Sequence, residues 1–142
     1  AREMLAEQGY GVLTEVNVKN TLKEKLDIDF GKYQILGACN PSLAFEALSN
    51  ELGVGLFMPC NVVVWENEDK STTVASIDAK TMSDLIQNDQ INALAERVNA
   101  LLKIALDAIS RKIRCRCTII NAAIVMVFLK NCYSLVRLKM KK

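Results

Sequence analysis

Cys39 and Cys60 are the residues of this 142-residue chain with the most to offer chemically. Each closes or interrupts an apolar stretch, and each sits in a string with an asparagine and a proline: Cys39-Asn40-Pro41 and Pro59-Cys60-Asn61. Two thiols brought together would suit redox exchange or transition-metal handling. Cys39 directly precedes a predicted helix N-terminus, where the dipole and free N–H groups favour thiolate over thiol. The competing and weightier reading makes both small buried hydrophobes of a sheet. Two thiols are too few to close a structural zinc site, and the sequence has no His to complete one. The lack of His also removes Ser-His-Asp and Cys-His activation of a nucleophile. No catalytic residue, metal ligand or cofactor is therefore assigned from the sequence.

Other motifs are weaker. Asn40 and Asn61 could present amides to a ligand, although helix capping and turn formation explain them at least as well. Asp27 and Asp29 form a D-x-D pair better read as a solvated turn than as a cation site. Gly53-Val54-Gly55 lacks the third glycine and the strand-to-helix setting of a dinucleotide loop. Cys115 and Cys117 make only a C-x-C, with no second pair at metal-site spacing. Trp65 and Phe57 stand in an apolar segment, and core packing is their default role.

The elements that would position these residues follow from periodicity and punctuation. Ala1 to Gln8 reads as the last turns of a helix, stopped by Gly9. Tyr10 to Val18 alternates as a strand, and Thr21 with Glu24 has capping-box spacing for a short helix over Leu22 to Leu26. Tyr33 to Cys39 is the next strand. Asn40 as N-cap and Pro41 at the first helical position open a helix to Leu52, with Ala44, Phe45, Leu48 and Leu52 as its apolar stripe and Gly53 as its stop. Val54 to Trp65 reads as a long strand with a bulge, bend or edge at Pro59. A turn over Glu66 to Ser71 leads into a strand at Thr72 to Ile77. From Thr81 the period becomes 3.6, breaks at Asn88-Asp89, and then places Ile91, Leu94, Ala95, Val98, Leu101, Leu102, Ala105 and Ile109 on one face. The whole is an α+β domain, an antiparallel sheet with helices packed on one face.

Charge divides the chain. Residues 1 to 110 hold 9 Lys/Arg against 16 Asp/Glu, and residues 111 to 142 hold 9 Lys/Arg and no acid. The acidic main body has no focused positive field, which argues against nucleic-acid binding by that domain. The run Thr118 to Leu129 is too short for a membrane span of about 20 residues, and only its basic flanks favour an anionic surface weakly. The abrupt change of composition at Arg111 fits a read-through or frameshifted end equally well. The expected organisation is one domain over 1–110 with a basic apolar tail, 111–142, outside the fold. Five cysteines without regular spacing point to a reducing compartment, the cytoplasm. A start inside a helix, without Met or an N-cap, suggests that the natural beginning lies further upstream, with any export signal.

Four strings converge on a family: G-Y-G-V-L-T-E from Gly9, L-K-E-K-L from Leu22, Y-Q-I-L-G-A-C-N-P from Tyr33 and G-L-F-M-P-C-N-V-V-V from Gly55. Together they resemble the bacterial and archaeal "domain of unknown function 302" family, over about Ala1 to Ser110. The resemblance implies a TATA-binding-protein-like fold, a curved antiparallel sheet of β-α-β(4)-α type, and implies no DNA binding. It also implies that the family's first strand and much of its first helix lie before Ala1.

Helix-on-sheet patterning without catalytic groups leads to a non-enzymatic binding or oligomerisation module, forming a homo-oligomer and holding a small apolar ligand between the long helix and the sheet. The alternative is a thiol-dependent redox or metal-handling protein that uses Cys39 and Cys60. Candidate ligand-binding or redox residues are Cys39, Asn40, Cys60 and Asn61.

Overall fold

The computed structural model describes residues 1–113 and 116–120. Helix α1 (Arg2–Glu7) leads to strand β1 (Gly11–Asn17), helix α2 (Val18–Leu26) and strand β2 (Tyr33–Cys39). Helix α3 (Pro41–Asn50) and a 3-10 turn (Leu52–Phe57) precede strands β3 (Cys60–Glu66) and β4 (Thr72–Ile77). Helices α4 (Lys80–Ile86) and α5 (Asp89–Ile113) and strand β5 (Arg116–Ile120) complete it. The spatial order of strands is β1-β2-β3-β4-β5, antiparallel from β1 to β4 and parallel between β4 and β5. The antiparallel four-stranded sheet with helices is the expected α+β class. Among the described residues no helix is long and apolar enough to cross a membrane.

Local chemistry explains the element ends. Gly9, at φ 78°, takes the left-handed turn that ends α1, and a Cβ there would stand 2.9 Å from the Asn40 side chain. Asn17 caps α2 by accepting from Asn20 N–H at 3.1 Å, so this helix starts earlier than the Thr21-Glu24 spacing suggests. Asn40 accepts from the N–H groups of Ser42 and Leu43 at 3.2 and 3.3 Å, with Pro41 in the first turn as expected. Asn88 does the same for Gln90 and Ile91 at the start of α5.

The core is one cluster in which Leu36, Ala38, Val62 and Val74 of the sheet join Leu94, Val98 and Leu102 of α5. Every member of the expected α5 stripe is buried except Leu101, which is partly buried. Helix α3 departs from expectation. It buries Leu43 and Ala47, whereas Phe45, Leu48 and Leu52 are 76%, 37% and 81% exposed. Both stripes satisfy a helical period, and the side facing α5 decides between them. The expected long strand Val54 to Trp65 is also corrected: its first part is the 3-10 turn and the strand begins only at Cys60, after a cis Met58–Pro59 peptide. Glycine-rich Leu52 to Phe57 accommodates the tight turn, which Glu51 caps through Gly53 N–H.

Helix α5 runs on to Ile113, Lys112 pairs with Glu3 at 2.7 Å, and Arg116–Ile120 lie beside β4. The pair holds the exposed Glu3 carboxyl below its ordinary range through the hydrogen bond and charge of Lys112. Residues 121–142, the rest of the expected tail, lie outside the described residues, as do Cys115 and Cys132.

Asn40 carries a direct prediction. Asn40→Ala removes the α3 cap, together with a 3.4 Å bond from its amide to the Gln8 carbonyl that ties α3 to the end of α1. The expected cost is about 1–2 kcal/mol, read as a lower denaturant midpoint at unchanged slope. A variant with the wild-type midpoint would show that the cap contributes nothing.

Candidate functional site

One end of the sheet and the helices above it enclose an apolar cleft. The ends of β2 and β3 contribute Ala38, Cys39 and Cys60, α3 contributes Leu43, Ala44 and Ala47, and Phe57, Met58 and Pro59 form a wall. Tyr10, Met82, Leu94 and Val98 close the other side. The cleft is narrow, with a cavity volume of about 50 Å³, and no charged residue lines it.

The register brings the two cysteines to the same end of the sheet. Cys60 lies directly across from Ala38, one position from Cys39, where β2 ends and the chain enters α3. Both are partly buried free thiols lining the same cleft. Tyr10 joins them from the start of β1, where Gly11 is registered with Cys39. Its buried phenol donates to the Val98 carbonyl of α5 at 3.4 Å.

Electrostatics correct one expectation about Cys39. Burial pushes its thiol above the ordinary value, and Asn40 has already taken the Ser42 and Leu43 N–H groups that would have favoured a thiolate. Burial, with a contribution from charge on Cys39, pushes Cys60 up to about 11. Tyr10 is also raised, by burial first and then by charge on Cys60 and Cys39. Both thiols are therefore held protonated at neutral pH.

This has a measurable pH signature. Because the folded state holds the Cys60 proton beyond the ordinary 9.0, the resulting stability is fully present below about pH 9 and is lost as pH rises towards about 11. At pH 8 roughly one Cys60 thiol in a thousand would be ionised. Alkylation of native Cys60, followed by peptide mass spectrometry, should accordingly be slow at pH 8 and accelerate on unfolding. Equal rates in native and unfolded protein would show that the thiol is not protected.

Asn40 borders the same cleft, but its carbonyl oxygen is committed to the α3 cap and its amide reaches Gln8. Asn61 does not join them: alternation along β3 turns it to the opposite sheet face, where it is exposed across from Gly37. That side of Gly37 must stay bare, since a Cβ there would collide with the Thr14 side chain and stand 2.7 Å from Pro59. The sequence reading missed Tyr10, Met58 and Met82 as cleft residues. Tyr10 had been visible only as one member of a strand alternation, and nothing in the local sequence around the two methionines distinguishes a cleft wall from core. Among the described residues no group of three or more His, Cys, Asp or Glu could hold a metal ion.

Comparison with known proteins agrees with this architecture. The family model "Domain of unknown function DUF302" matches residues 1–109. The crystal structure of an uncharacterized conserved DUF302 protein from Bacillus stearothermophilus is similar at a TM-score of 0.67 and 30% identity, covering 75% of this chain and 82% of that one. No curated protein matches the chain.

Proposed function

This chain belongs to the DUF302 family, and from that premise we propose that it is a non-enzymatic binding module that holds a small apolar ligand in the cleft between α3, α5 and the sheet. The apolar, uncharged lining of that cleft carries the reading. Ligand pockets are typically concave and largely hydrophobic, with a few polar groups to fix orientation. Here those groups would be the two thiols and the Tyr10 hydroxyl. A homo-oligomer is part of the same reading. Phe45, Leu52 and Leu56 expose large apolar side chains on α3 and the 3-10 turn beside the cleft, and β1 forms one edge of the described sheet.

Native mass spectrometry of the whole chain, paired with thermal shifts against lipophilic compounds, tests this. A retained small molecule or a concentration-dependent rise in melting temperature is expected, because a ligand that binds only the folded state stabilises it by mass action. A strictly monomeric chain that retains nothing and shifts with no compound would overturn the reading.

The thiol alternative has one observation in its favour, the presence of Cys39 and Cys60 on one cleft. Their protonated state favours tight packing or displacement of the proton by a ligand over spontaneous nucleophilic attack.

A further inference from the structure

The geometry points to a site for a soft monovalent cation, of which Cu(I) is the biological example, in this cleft, with Cys60 and Cys39 as principal ligands and the Met58 thioether as a third. The inference rests on the reading of the cleft as a binding site and goes beyond it by naming a second class of ligand.

Four sulfur-containing residues, Cys39, Cys60, Met58 and Met82, are among those that line a single cleft. Thiolate and thioether ligands select Cu(I), whereas zinc and the harder divalent ions call for imidazole, carboxylate or a full set of four ligands. The sequence contains no His, and no carboxylate lines the cleft. A doubly charged ion in this apolar setting would lack the compensating charges it needs. A singly charged ion bound to one thiolate makes a neutral unit suited to such a lining. Binding proceeds by exchange: the cation forms a bond to the Cys60 sulfur, the S–H bond breaks, and one proton goes to solvent. Met58 donates a lone pair without losing a proton, and Cys39 binds as thiol or, with release of a second proton, as thiolate. Because binding displaces a proton from Cys60, affinity rises with pH.

The test uses the full 142-residue chain, reduced and handled without oxygen. Cys115, Cys117 and Cys132 are replaced by Ser so that only the cleft thiols remain. Cu(I) is added in competition with a chromogenic Cu(I) chelator. One ion retained per chain, with ultraviolet thiolate-to-copper absorption, is the expected result. Loss of a partner outside the ligand shell already weakens metal sites about 10–100-fold, so Cys60→Ser should exceed about 100-fold and Met58→Leu should cost about tenfold. A second measurement covers the case in which Cys60→Ser folds poorly: in the unaltered chain, Cu(I) should protect Cys39 and Cys60 from alkylation. Copper lost in the three-serine chain, retained fully by a folded Cys60→Ser variant, or protecting only the other cysteines would overturn the site. Lipophilic compounds bound without copper would overturn it and leave the binding module standing. Copper bound without any such compound would support it and count against the apolar ligand.

Discussion

Leu102→Ala should lower the unfolding free energy by about 2–5 kcal/mol, while Phe45→Ala should stay within about 0.5 kcal/mol of the wild type. Leu102 is completely buried on α5, in the cluster that joins this helix to α1, α3 and the sheet. Truncating it removes the transfer free energy of its methyl groups and leaves a cavity that a helix packed on several neighbours cannot collapse to fill. Phe45 has a larger side chain, yet it is 76% exposed and little of it leaves water on folding. Urea titration of the two variants gives the answer, since midpoints shifted at constant slope report stability. Similar costs at the two positions would mean that the face of α3 has been assigned wrongly.

The contrast between these two residues also shows where the sequence stops being informative. Asn40-Pro41 combines a cap with a pre-set φ, so the start of α3 is written locally, and β2 is found with its expected bounds for a similar reason: Gly31 before it and the cap after it punctuate both ends. Helix α5 was legible because its stripe is long enough to exclude other rotations. Helix α3 has only ten residues, and apolar side chains on two overlapping stripes leave its rotation to be decided by tertiary contacts. The same holds for the site. Cys39 and Cys60 could be singled out from their strings, but that they share a cleft depends on the β2–β3 register. That Asn61 turns away from them depends on where β3 begins, after the Pro59 turn. Thiolate character at Cys39 is a fair inference from a helix N-terminus, but burial raises its thiol, and Asn40 accepts from the same N–H groups.

A chain that ends at Ser110 should be less stable than one that ends at Ile120, by about 2 kcal/mol or more, and should associate more readily. The family match ends at residue 109, so the shorter chain keeps everything that the match covers. It loses β5, whose residues are registered with Thr73 through Ile77 of β4, and with it Ile119, which packs against the core. Burying most of an Ile side chain is worth about 1.5–3 kcal/mol, which sets the scale of the loss. The exposed Lys112–Glu3 pair adds little, since such pairs contribute about 1 kcal/mol at most. The consequence for association is structural. Without β5, the N–H and C=O groups along the outer side of β4 become a free strand edge, and Thr73, Val74, Ala75 and Ser76, all buried in the full chain, would border it. An unprotected edge of this kind recruits another strand. Two readouts therefore move together: the denaturant midpoint falls, and sedimentation shows a concentration-dependent rise in mass that the chain ending at Ile120 does not show. Equal midpoints and equal masses would place β5 outside the cooperative unit and put the domain boundary back at Ser110.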